Sequence, residues 1–172
     1  MIHVCSLSRL HDTVDQAGAA HVITLITEGT EVERPAAIAP HQHLYLAMND
    51  IAEPLPGMTP PGADHIETLI GYIESWDRAD PIVIHCWAGI SRSTAAAFTT
   101  MCLLYPEADE YRLAHRLRRL SPTATPNPRI VALADQLLGR SGRMIDAVRQ
   151  IGRGAMAFEG TPFQFTLEDD TP

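Results

Sequence analysis

The chain has 172 residues, 45% of them hydrophobic, which suits one domain with a real core. Its net charge of −8 argues against a general nucleic-acid binder or a binder of anionic membranes. All thirteen basic residues are arginine, and ten of them lie from Arg92 onward, either as a solvated helix face or as a local positive field inside an acidic protein.

In chain order, "IHVCSLS" alternates partly and predicts a first strand, and "LHDTVDQAGA" predicts a short helix with Gly18 near its end. "HVITLIT" is β-branched and apolar, like a buried parallel strand. "HLYLAM" predicts a third short strand, and "EPLPGMTPPG" is loop by its proline and glycine content. From Asp64 the period changes: Ile66, Leu69, Ile70, Ile73 and Trp76 share a helical face. "PIVIHC" is another short apolar run, and "SRSTAAAFTTMCLLY" is a helix apolar nearly all round, hence central. Leu113 to Leu120, Ile130 to Leu137 and Met144 to Ile151 line three further helices. The layout is α/β: a small, mostly parallel sheet flanked by helices, with a helical C-terminal half covering one face. One domain is expected over residues 1–157, then a C-terminal tail over 158–172 whose "LEDDTP" end should fray. Cys5, Cys86 and Cys102 are odd in number and widely spaced, unlike a disulfide scaffold. "MIHVCSLSRL" has neither a basic n-region nor a long h-region, and no apolar run is long enough to cross a membrane. The expected setting is a reducing cytoplasm, with no membrane and no nucleic acid as partner.

The stretch "HCWAGISRS" carries the chemistry. A strand enters from Pro81 and a helix leaves at about Ser91, with Gly89 between them. Such a turn aims backbone N–H groups at one spot, and the helix N-terminus adds unpaired donors and the positive end of its dipole. That is an anion site, and Gly89 lets the backbone approach the ligand closely. The field that binds phosphate also favours a thiolate at its base, which is where Cys86 sits. Five residues intervene between Cys86 and Arg92, whose planar fork matches two phosphate oxygens as a lysine cannot.

His85 to Ser93 resembles the phosphate-binding loop of the protein tyrosine phosphatase superfamily, in its dual-specificity-like branch. The resemblance implies a cysteine-dependent phosphomonoester hydrolase that works through a thiophosphate intermediate, with no metal or other cofactor. It implies Cys86 as nucleophile and Arg92 on the phosphoryl oxygens. The backbone amides of Trp87, Ala88, Gly89, Ile90, Ser91 and Arg92 form the cradle. Ser93 hydrogen-bonds the sulfur, and His85 tunes the loop. "LAMNDIAEP" resembles the segment carrying the general acid on a movable loop, which points to Asp50, thirty-six positions before Cys86. "SPTATPNPRIVALADQLL" resembles the segment near the C-terminus of the domain, with Asn127 as the matching asparagine that supports the site. These segments tie most of Leu44 to Leu138 to the family, and the region after Gly139 has no match.

Other readings of the same residues stand beside these. Asp50 also suits an Asx turn, and its rival Asp64 sits where the next helix wants an N-cap. Ser93 also suits a first helical turn, and His85 a satisfied core position. Trp87 is either a pocket wall or a residue packed on the helix after Asp64. Cys102 reads as core. A reversible Cys5–Cys86 disulfide is conceivable, as in relatives that protect the nucleophile that way. Two other functions fit the loop: a sulfur-transfer or arsenate-reducing enzyme, and a non-catalytic phosphate-binding module. The expected substrate is a phosphorylated protein or a small phosphomonoester. With no basic residue besides Arg92, the loop suits a polyphosphorylated inositol head poorly.

Overall fold

Apolar, β-branched strands alternate with amphipathic helices in the first half of the chain, and the computed structural model places those strands side by side. It describes residues 1–166. The strands are β1 (Ile2–Ser6), β2 (His21–Ile26), β3 (His43–Ala47), β4 (Ile82–Cys86) and β5 (Phe163–Phe165), in the spatial order β3-β2-β4-β1-β5. The first four pair in parallel, and β5 adds to the edge antiparallel to β1, so the sheet is mixed. β4 is central and buried along its whole length, as its unbroken apolar run requires.

The helices are α1 (Leu10–Ala17), α2 (Ala63–Ser75), α3 (Arg92–Leu104), α4 (Glu110–Leu120), α5 (Pro128–Leu137) and α6 (Arg143–Ile151). α1 covers one face, where Leu10 and Val14 pack with Cys5, Val22 and Val83. α2 to α6 cover the other, over Val4, Ile23, Leu25 and Ile84. α3 is buried from Arg92 to Cys102 although it carries four threonine or serine side chains in its first nine residues. Thr99 and Thr100 donate to the carbonyls of Ala95 and Ala96 at 2.9 and 2.8 Å, so their methyl groups pack as apolar surface. No helix among the described residues is long and apolar enough to cross a membrane.

The C-terminal region differs from the sequence reading. The sequence places residues 158–166 in a tail; in the structure Gly160 is buried and its N–H donates to Ala88 O at 2.8 Å. Phe163 and Phe165 point into the core while Gln164 faces out, the alternation of a half-buried strand. Three residues are too short a run to be read as a strand by periodicity. The "LEDDTP" end, residues 167–172, lies outside the described residues.

Candidate active site

The segment between β4 and α3 is a five-residue loop, 87–91. Four of its carbonyls are hydrogen-bonded: Trp87 O by Leu7 N at 3.1 Å, Ala88 O by Gly160 N at 2.8 Å, Ile90 O by Thr125 N at 2.9 Å, and Ser91 O. Ser91 O accepts from Ala95 N at 3.0 Å and Asn127 N at 3.3 Å. Among the described residues, the N–H groups of 87–91 make no such bond and are left for a ligand. Gly89 is required twice over. Its φ is +71°, and a Cβ there would stand 2.8 Å from the backbone of Cys5 and Ser6.

Cys86 lies at the base of this loop, 1% exposed, with its Sγ 3.1 Å from Ser93 Oγ. Arg92 is also buried. Its Nη1 donates to Met48 O at 2.7 Å, while its buried Nε makes no hydrogen bond among the described residues. A buried guanidinium N–H without an acceptor is costly, so it suits a site that an anion fills.

Asp50 reaches the same place from the loop after β3. Its Oδ1 accepts from Ser91 Oγ at 2.7 Å and from Asn127 Nδ2 at 2.8 Å, and its Oδ2 lies 3.9 Å from Arg92 Nε. The loop is pinned further along, where Arg129 Nε donates to Pro61 O at 2.6 Å and Asn49 N to Thr59 O at 2.7 Å. Asp64, the rival, is 82% exposed, with His65 Nδ1 3.7 Å from its Oδ1. It is not the N-cap of α2 either: Gly62 holds that position and donates its N–H to His65 Nδ1 at 3.0 Å.

His85 is fully buried, and burial pushes its pKa down to about 4, so it is neutral at ordinary pH. Its Nε2 meets Thr24 Oγ1 at 2.7 Å, and the same hydroxyl meets His43 Nε2 at 2.7 Å. One hydroxyl hydrogen cannot serve two imidazoles, so one ring must donate to Thr24. Thr24 and His43 gave no signal in the sequence, because they join His85 only through neighbouring strands.

The other cysteines stand apart from this chemistry. Cys5 pairs in register with His85, and its side chain packs on the α1 face, whereas Cys86 meets Ser93 on the α3 side. The alternation of a strand thus sends the two sulfurs to opposite faces, against a Cys5–Cys86 disulfide. Burial pushes both Cys5 and Cys102 up to about 12. Trp87 is 58% exposed and walls a hollow with Leu7, Ser8 and Phe158, rather than packing on α2. Ser6 and Ser8 donate to Glu159 beside it, which holds that carboxyl below the usual range. Among the described residues, no three His, Cys, Asp or Glu side chains converge in a metal-binding group.

No family model matches the chain, and no curated protein sequence does. Solved structures do. DUSP15 aligns with a TM-score of 0.65 at 18% identity, over 87% of this chain and 89% of its own. The PTP-2 phosphatase of Cydia pomonella aligns at 0.61 and 21% identity, over 78% and 84%. PTPMT1, solved in complex with PI(5)P, aligns at 0.63 and 12% identity, over 81% and 91%. The chain therefore has the fold of the dual-specificity-like tyrosine phosphatases.

Proposed function

We propose that the protein is a cysteine-dependent phosphomonoester hydrolase. The observation that carries this is the joining, in one loop beside a buried cysteine, of N–H groups that donate to no backbone carbonyl among the described residues and a buried Arg92 Nε that makes no hydrogen bond. These donors match the equatorial oxygens of a transferring phosphoryl group, held in place before the reaction starts. Met48 O takes one N–H of Arg92 Nη1, which leaves the buried Nε side of the guanidinium to meet the anion.

The Cys86 thiolate attacks phosphorus, the P–O bond to the leaving group breaks, and Asp50 gives its proton to the departing oxygen. Water then attacks the thiophosphate, the Asp50 carboxylate takes a proton from it, the P–S bond breaks, and phosphate leaves. Ser93 Oγ, at 3.1 Å, donates to the sulfur and makes the thiolate a better leaving group in this second step. Neutral His85 holds the strand end on which Cys86 sits. The substrate is a phosphorylated protein or a small phosphomonoester bearing one phosphoryl group at the loop, since Arg92 is its only cation.

Cys86→Ser tests the reading. The hydroxyl is far less acidic, but the cradle and Arg92 remain. Turnover of an aryl phosphate should vanish while vanadate or phosphate binding persists. Acid quench of the wild type should trap label on Cys86. If the serine variant keeps more than a few per cent of turnover, which the rate contribution of covalent catalysis forbids, the mechanism is wrong. Turnover of thiosulfate or arsenate in place of the aryl phosphate would assign the loop to sulfur transfer or arsenate reduction.

A further inference from the structure

We propose that Ser91 and Asn127 are positioning residues that decide which oxygen of Asp50 carries the proton. The inference rests on the reading of Asp50 as general acid. It starts from the amide of Asn127, whose orientation is fixed by its backbone. Its Oδ1 accepts from Arg129 N at 3.0 Å and Ile130 N at 3.2 Å, so the other end is the NH2 group. That nitrogen can only donate, and it donates to Asp50 Oδ1 at 2.8 Å. Ser91 Oγ donates to the same oxygen at 2.7 Å. An oxygen that accepts two hydrogen bonds is the carbonyl-type oxygen of a neutral carboxylic acid, because the hydroxyl oxygen is a poor acceptor.

The proton of the neutral acid therefore sits on Oδ2. That oxygen faces Arg92 Nε across 3.9 Å, on the side where the phosphoryl group would be held. Transfer from Oδ2 to the departing oxygen leaves both donors on Oδ1 undisturbed. The resulting carboxylate is already oriented, with Oδ2 free to accept a proton from water in the second step. Ser91 thus serves twice. Its backbone N–H belongs to the cradle, and its side chain holds the acid, so an anion that orders the loop also orders Asp50.

The test is the single-turnover rate for phenyl phosphates of graded leaving-group acidity, in wild type, Ser91→Ala, Ser91→Thr, Asp50→Asn and the double variant Ser91→Ala/Asp50→Asn. Every substitution at 91 keeps the backbone N–H. The wild type should depend weakly on the leaving group and Asp50→Asn steeply. Ser91→Ala should steepen the dependence and lose at least ~10-fold on the poorest leaving group, part of the ~10²–10⁴-fold that a general acid contributes. Ser91→Thr, which keeps a hydroxyl, should recover the shallow slope. The double variant should be no steeper than Asp50→Asn, since both changes act through one proton. A Ser91→Ala enzyme slowed equally on all leaving groups, with Asp50→Asn still steep, overturns the positioning role and leaves the acid assignment standing. A wild-type slope in Asp50→Asn overturns the acid assignment itself, and this inference with it.

Discussion

Arg92 makes two kinds of contact that a lysine cannot make together. Its Nη1 donates to Met48 O at 2.7 Å, which ties the start of the loop after β3 to the base of the site. Its Nε is buried and open toward Asp50 Oδ2. An ammonium has the charge, but its three donors radiate from one nitrogen, so it cannot reach Met48 O and also present a parallel pair of N–H groups to the phosphoryl oxygens. Arg92→Lys should therefore cost nearly as much kcat/KM as Arg92→Ala, at least ~10²-fold, the scale of removing one preorganised donor from an oxyanion site. Near-normal turnover by the lysine variant would reduce Arg92 to a cap on α3.

At the scale of elements, the row His85, Thr24, His43 ties β4, β2 and β3 together beneath the loop. Burial lowers the pKa of His85 from 6.5 to about 4 and lowers that of His43 as well. A base whose folded pKa lies below its unfolded value is neutral in the fold and protonated when unfolded. Between about pH 6.5 and about pH 4 the unfolded chain binds more protons, so stability falls as pH drops through that window and is full above it. Urea unfolding at pH 7 and pH 5 should show a lower midpoint at pH 5. The difference should shrink in His85→Gln, which cannot titrate. A pH difference of the same size in that variant would mean that other groups carry it. The row also explains why position 24 is a threonine between the apolar residues Ile23 and Leu25: the two imidazoles meet its hydroxyl between them.

At the scale of the whole molecule, the loop 87–91 is backed by segments far from it in sequence. Leu7 N, Gly160 N and Thr125 N each donate to one of its carbonyls. Gly160 sits so close that a Cβ there would stand 2.8 Å from Gly89 O. A chain ending at residue 157 loses that support, the Ser6–Glu159 and Ser8–Glu159 contacts and the pairing of β5 with β1. It also uncovers the place of Phe165, 1% exposed, whose loss alone is worth ~3–5 kcal/mol by the usual cost of emptying an aromatic core site. Its Tm and its kcat/KM should both fall. Equal values for the two chains would return 158–166 to the status of a tail. The sequence by itself determined the elements other than β5 and the strand-to-helix turn from Cys86 to Ser93. Cys86, Gly89, Arg92 and Ser93 lie within eight residues, and a strand-to-helix turn around a glycine folds on local rules. The acid was legible only as a choice between Asp50 and Asp64, because composition around each suits a turn or a helix start. Tertiary structure separates the two, bringing Asp50 to the loop by bonds that span 41 residues to Ser91 and 77 to Asn127. The Thr24–His43 pair, β5 and the buried Nε of Arg92 belong to the same class. They arise where separate strands and loops are packed against one another, and periodicity along one segment carries no record of which neighbour it will meet.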